Sequence, residues 1–169
     1  MDRRELLTAG IAAGGVAAAI ATNVTPAQAK DDRDDKDDND IVGSWFGTVT
    51  ATNPPLGQFN DLISFHTGGV VIESRRYLVP GTPFGDLLET TGHGAWERTG
   101  RNTFKAFFRF LLQSNANGAP IGTDNISLSL RLDRDTGTLS GTFQSQIKNL
   151  ADTALFTATG TFSATEITV

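Results

Sequence analysis

Residues 103–113 read TFKAFFRFLLQ, and this stretch indicates the fold class of the chain. Every second residue from Phe104 to Leu112 is apolar, whereas the positions between them include Lys105 and Arg109. A period of two is typical of a β-strand that buries one face and exposes the other. The stretch NISLSLRLD, residues 125–133, repeats the pattern, and Leu139, Phe143 and Ile147 make a third inward row. Together they indicate an antiparallel sheet with one apolar side.

Eight runs of this kind follow Ile41, and glycine, proline, asparagine and aspartate separate them. The runs are Val42–Thr52, Phe59–Thr67, Val70–Val79, Gly92–Thr99, Thr103–Gln113, Asn125–Asp133, Thr138–Asn149 and Ala154–Val169. We expect every proline of this region to fall between strands, because a central strand needs its backbone N–H groups. The sequence therefore predicts an all-β domain, an eight-stranded antiparallel up-and-down barrel.

Short and long connections alternate along these runs. The short ones are Gly68-Gly69, Thr99–Asn102 and Arg134–Gly137, the long ones are Asn53–Gln58, Pro80–Thr91 and Ser114–Asp124, and Leu150–Thr153 is intermediate. Consecutive connections of an up-and-down barrel lie at opposite ends. We therefore expect a closed floor and an open mouth. Phe84, Leu87 and Leu88 make Pro80–Thr91 either a lid over the mouth or a loop packed on its rim.

The first 40 residues differ in composition from the rest. Residues 1–29 resemble a twin-arginine export signal, with Arg3-Arg4 before an Ala/Gly-rich run and Ala27-Gln28-Ala29 as the cleavage pattern. Residues 30–40 carry seven Asp against three Lys/Arg, which predicts an acidic disordered linker rather than a calcium loop. Residues 41–169 form the predicted barrel domain. We expect an exported protein without a membrane span.

Composition excludes several kinds of site. The chain has no cysteine, so thiol chemistry and cysteine-bound metals are excluded. Residues 41–169 carry ten acidic and nine basic side chains, a balance without the basic surface that nucleic acid requires. Two histidines do not make a metal site, and no Gly-x-Ser-x-Gly motif marks a nucleophile. We predict no metal, no cofactor and no catalytic residue, with a haem held by His93 as the remaining cofactor alternative.

The turns decide which side chains face inward. A two-residue turn at Gly68-Gly69 would place Phe65, Asp61 and Arg76 inside, the last two near the mouth. For Gly92–Thr99, a four-residue turn would place His93 and Glu97 inside, whereas a three-residue turn would place Trp96 there. The sequence leaves these two alternatives open.

Inward aromatic rings and a few polar groups make up the predicted ligand site. Its residues are Asp61, Phe65, Arg76, His93, Trp96, Phe108, Phe110 and Phe143. The rings would form the walls, and Arg76 and His93 would anchor the ligand at the rim. The alternative is a structural ion pair between Arg76 and Asp61, with His93 part of a loop.

The motif Gly43-Ser44-Trp45 at the start of the first strand resembles the lipocalins and the wider calycin group. Lipocalins also carry an arginine late in the last strand, where this chain has Glu166 as its only charge. The stretch Gly92–Gly100, with Thr103-Phe104 after it, resembles uncharacterised exported bacterial barrel proteins. The resemblance implies a calycin-like barrel and no particular activity.

Three functions fit these observations. The first is an exported binding protein that holds a small hydrophobic or amphipathic molecule. The second is a cofactor-independent cyclase or isomerase, as some calycin-like barrels are. The third is a filled barrel with a structural or interaction role, since large side chains either line a pocket or fill the lumen.

Overall fold

The computed structural model of the chain describes residues 40–76, 78–82 and 84–169. The strands are β1 (Gly43–Asn53), β2 (Gly57–His66), β3 (Val70–Arg75), β4 (Leu78–Thr82), β5 (Gly85–Glu89), β6 (Gly92–Gly100), β7 (Thr103–Ser114), β8 (Pro120–Asp133), β9 (Thr138–Asn149) and β10 (Ala154–Glu166). The predicted export signal, and the linker up to residue 39, lie outside the described residues. Within those residues, no helix has the length and apolar character needed to cross a membrane.

Eight of the ten strands close into an antiparallel barrel, as the alternation predicts. The ring runs β1-β2-β3-β6-β7-β8-β9-β10, and pairing of β1 with β10 joins its ends. The predicted inward rows on β7, β8 and β9 are buried. Their members are Phe104, Ala106, Phe108, Phe110 and Leu112, then Ile126, Leu128, Leu130 and Leu132, then Leu139, Phe143 and Ile147. The prediction of an all-β, eight-stranded barrel is therefore confirmed.

The predicted long connection Pro80–Thr91 is largely a β-hairpin and not a free loop. Strands β4 and β5 pair with each other, and β5 continues the barrel wall by pairing with the mouth end of β7. Pro80 lies within β4, which is the edge strand of the sheet beside β5, and a proline is tolerated in such a strand. The expectation that all prolines fall between strands was wrong here, and again at Pro120, the first residue of β8.

The register between β2 and β3 differs from the prediction by one residue. His66 pairs with Val70, so the connection has three residues, and both Gly68 and Gly69 adopt positive φ. Asp61 therefore lies opposite Arg75 and not opposite Arg76. Because side chains alternate between the two faces, a one-residue shift reverses the whole strand. The inward residues of β3 are consequently Val71, Glu73 and Arg75.

The open alternative on β6 is settled in favour of Trp96. Its ring makes edge contacts with Phe65 and Phe104, at centroid distances of 6.0 Å each. The indole Nε1 donates to the His66 carbonyl over 3.0 Å. His93 is exposed on the outer face, because an irregularity in the β6–β7 register near Gly100 sets the parity of this strand.

The floor end of the barrel is filled and closed. Trp45 is buried, and its Nε1 donates to the carbonyl of Ile41 over 2.9 Å. Asp40, just before β1, forms ion pairs with Arg98 of β6 and with Arg134 in the β8–β9 turn, on the side of the ring opposite β1. The segment before β1 therefore lies across the bottom of the barrel, and any internal space must lie nearer the mouth.

Candidate functional site

A cavity of about 370 Å³ opens above the filled part of the barrel, at the mouth end. Its walls are mainly apolar, and the apolar residues come from β1, β2, β5, β9, β10 and the β1–β2 connection. The apolar lining comprises Ala51, Pro54, Leu56, Phe59, Leu87, Phe143, Ile147, Phe156 and Ala158. Ligand sites are typically about 300–1,000 Å³, so the volume suits a small molecule.

Arg75 is the central polar group of this cavity. Its Nε donates to Glu89 Oε2 over 2.7 Å, and its Nη2 donates to Glu89 Oε1 over 2.9 Å and to Asp124 Oδ2 over 2.8 Å. Ser145 Oγ donates to the other oxygen of Asp124 over 2.7 Å. Arg75, Glu89, Asp124 and Ser145 all line the cavity, and we call them the Arg75 network.

The Arg75 network is assembled from four different strands. Arg75 is the last residue of β3, Glu89 ends β5, Asp124 lies near the start of β8, and Ser145 is on β9. The guanidinium carbon lies 4.4 Å from the centroid of the Phe110 ring, a cation–π contact from β7. That ring also packs against Gly92, where an added Cβ would come within 2.8 Å of it. The glycine therefore leaves room for the ring that supports Arg75.

Burial and charge act in opposite directions within this network. Burial lowers the pKa of Arg75, but the charges of Glu89 and Asp124 outweigh it, and the net shift is upward. Burial raises the pKa of Glu89, and the charge and hydrogen bonds of Arg75 partly offset that rise. Arg75 thus keeps its proton and stays positively charged between Glu89 and Asp124.

A second pair of carboxyl groups lies inside the barrel next to this network. Burial, together with a hydrogen bond to Asp61, raises the pKa of Glu73 to about 11. Burial also raises the pKa of Asp61. Asp61 Oδ1 and Glu73 Oε2 receive no hydrogen bond from a donor among the described residues. A proton held between the two carboxyl groups supplies the missing donor. Glu73 is therefore neutral at pH 7.

The structure brings only part of the predicted ligand site together. Phe143 and Arg76 line the cavity, although Arg76 follows β3, is exposed and does not pair with Asp61. Phe65, Trp96 and Phe108 belong to the packed core, and Phe110 lies beneath Arg75. Asp61 is buried against Glu73. His93 lies outside the barrel and does not contribute to the cavity, contrary to the predicted rim anchor.

Sequence reasoning misses the Arg75 network itself. The two-residue turn predicted at Gly68-Gly69 puts Arg75 on the outer face, and the predicted connections contain Glu89 and Asp124. One available signal is the alternation Ile126, Leu128, Leu130, because extending it backward by one step places Asp124 inside.

The described residues contain no cluster of three or more His, Asp or Glu side chains arranged to hold a metal ion. Both His66 and His93 are exposed. The chemistry that this site offers is consequently that of an apolar cavity above buried, hydrogen-bonded charges.

Comparison with known proteins does not assign the chain to a family. No family model matches the chain, and neither a curated protein nor a solved structure matches it. The eight-stranded antiparallel barrel is compatible with a calycin-like architecture.

Proposed function

We propose that this protein binds a small, largely apolar molecule in the mouth cavity of its barrel. The observation that carries the proposal is the cavity itself, which has apolar walls and the Arg75 network at its polar end. A barrel with a purely structural role needs a filled interior, because each void forfeits packing contacts. The packed floor of this barrel meets that need, and the mouth end does not.

The buried charges support the same proposal. Removing Arg75, Glu89 and Asp124 from water is costly, and well-packed apolar residues at such positions are often as stable or more stable. A buried ion-pair network beside an open cavity is therefore more useful for orienting a ligand than for stability. Phe59, Phe143 and Phe156 supply aromatic area for the apolar part of the ligand.

Native mass spectrometry of the protein purified from the organism that makes it tests this proposal. We expect a bound small molecule that dissociates when the protein unfolds. Ala158 lines the cavity, and the Ala158→Phe variant should lose this molecule because the added ring occupies the space. Ala95 is exposed on the outer face, so Ala95→Phe is the matched control and should retain the ligand. Bare wild-type protein, with no thermal stabilisation by a panel of lipids and terpenoids, would contradict the proposal.

A second candidate is a cofactor-independent isomerase or cyclase. The neutral carboxyl of Glu73 favours it, because a carboxylic acid that keeps its proton at pH 7 can donate it to a substrate. Glu73 lies next to Arg75 and outside the cavity lining, so the binding role has the more direct support. Incubating the recovered ligand with wild type and Glu73→Gln, and analysing both for an isomer, separates the two candidates.

We further propose that the protein is exported, with residues 1–29 as the signal. Replacing Arg3 and Arg4 by lysine should leave the chain in the cytoplasm if the twin-arginine route carries it. Cell fractionation with an antibody against the barrel measures this. Unchanged export of the variant would contradict that route.

A further inference from the structure

Three of the five N–H groups of Arg75 and the hydroxyl of Ser145, at the polar end of the cavity, are directed at the protein's own carboxyl groups. Three N–H···O contacts run from Arg75 to Glu89 and Asp124, and the Ser145 hydroxyl donates to Asp124. A carboxylate oxygen can accept more than one hydrogen bond. Glu89 and Asp124 therefore retain acceptor capacity, whereas these donors are engaged.

The charge count at this end of the cavity points the same way. Among the lining residues that are not exposed there are two carboxylates, Glu89 and Asp124, and one cation, Arg75. Arg76, the other cation in the lining, is exposed, so water screens its charge more strongly. The inner part of the site therefore holds one more carboxyl group than cation.

The aromatic walls add an independent argument. Phe59, Phe143 and Phe156 line the cavity, and Phe59 already lies 5.6 Å from the Arg75 guanidinium. The face of an aromatic ring is negative and attracts cations. A cation in this cavity meets aromatic rings and carboxyl oxygens, both of which attract it.

We infer that the ligand of this cavity is an amphipathic amine, with an apolar body against the rings and a protonated amino group at Glu89 and Asp124. The inference rests on the proposed function, since it names the chemistry of the molecule held in the same cavity. The ammonium group donates to the acceptor sites that the Arg75 network leaves open.

Three probes with one tail and different heads test the inference: decylamine, 1-decanol and decanoate, each below its micellar concentration. Affinity is measured at pH 7 on wild-type protein by isothermal titration calorimetry. We expect decylamine to bind most tightly and decanoate at least about tenfold more weakly, because a like charge beside a buried carboxylate is strongly unfavourable. A higher salt concentration should reduce the difference in affinity between decylamine and decanoate, because salt screens the charges.

Substitutions test whether Asp124 causes the preference for the amine. Asp124→Asn removes a negative charge and should lower the ratio of decylamine affinity to 1-decanol affinity. Glu97 is exposed on the outer face of β6, so Glu97→Gln changes the net charge equally and should leave that ratio unchanged. Ala158→Phe should weaken binding of all three probes, which places them in the cavity.

The outcomes separate the inference from the proposed function. Decanoate binding as tightly as decylamine to wild type, with both lost in Ala158→Phe, would overturn the amine inference and leave the binding proposal standing. Absence of binding by all three probes would overturn both. The wild-type comparison does not require any variant to fold.

Discussion

Arg75 and Glu89 form a bidentate ion pair inside the barrel, with nitrogen–oxygen distances of 2.7 and 2.9 Å. The pair joins β3 to the end of β5, two segments that are not neighbours in the sheet. It therefore connects the closed ring to the hairpin that continues its wall. The same guanidinium reaches Asp124 on β8, so one side chain links three parts of the barrel.

Replacing Arg75 should be much more damaging than replacing Arg76. Arg75→Ala leaves Glu89 and Asp124 buried without a counter-charge, which should lower the free energy of unfolding by about 3–5 kcal/mol. Arg76 is exposed, so Arg76→Ala should change it by less than about 0.5 kcal/mol. Urea unfolding of both variants measures this. Equal effects would contradict the β2–β3 register that turns Arg75 inward.

The neutral state of Glu73 predicts a pH dependence of stability. The pKa of Glu73 is about 11 in the folded chain against an ordinary 4.5. Between these values the unfolded chain has lost a proton that the folded chain retains, so stability falls as pH rises. The contribution of Glu73 is complete below pH 4.5 and is lost progressively toward pH 11.

Glu73→Gln should remove this dependence, because glutamine is neutral at every pH. Its stability relative to wild type should rise by up to about 1.4 kcal/mol per pH unit between roughly pH 5 and pH 9. Chemical unfolding at several pH values measures the difference. Glu97→Gln, on the exposed outer face, should run parallel to wild type. If Glu73→Gln also ran parallel, Glu73 would be ionised in the fold.

The parity of β6 can be tested with Trp96 and His93. Trp96 packs on Phe65 and Phe104, and Trp96→Ala should cost about 3–5 kcal/mol through lost contacts and the cavity left behind. His93→Ala, on the outer face, should cost less than about 0.5 kcal/mol. Thermal unfolding compares the two variants. A larger loss of stability in His93→Ala would contradict the assignment of Trp96 to the inner face and His93 to the outer face.

The hairpin of β4 and β5 should behave as part of the barrel wall. The Thr90 N–H donates to the Leu111 carbonyl over 3.2 Å, and the Asn115 N–H donates to the Asp86 carbonyl over 3.0 Å. Hydrogen exchange should therefore show protected amides at Thr90 and Asn115. Exchange at the rate of an unstructured loop would support a mobile lid instead.

The eight strands of the closed ring, their closure and the inward rows of β7 to β9 could be predicted from the sequence. Those features follow from a long, regular alternation such as that from Phe104 to Leu112. Because many positions agree, no single residue decides which face is buried. The Arg75 network could not be predicted in the same way. Whether Gly68-Gly69 makes a two-residue or three-residue connection reverses the faces of β3, and the local sequence permits both.

The hairpin escapes prediction for a different physical reason. Pro80 and Gly81 interrupt the pattern and are typical of loops, and an edge strand tolerates them because it pairs on one side only. Glu89 ends β5, so it was missed together with the hairpin. Asp124 is missed because a carboxylate at an inward position is rare without a partner, and the predicted register turns its partner Arg75 outward.

An open cavity at the mouth of the barrel is the feature on which ligand binding depends most. The direct measurement is a fluorescence titration of an apolar dye, 1-aminoanthracene, with wild type, Ala158→Phe and Ala95→Phe. Saturable binding to wild type and Ala95→Phe, with little or none to a folded Ala158→Phe, is the predicted result. Absence of binding to wild type, or equal binding to all three proteins, would contradict a binding site in this cavity.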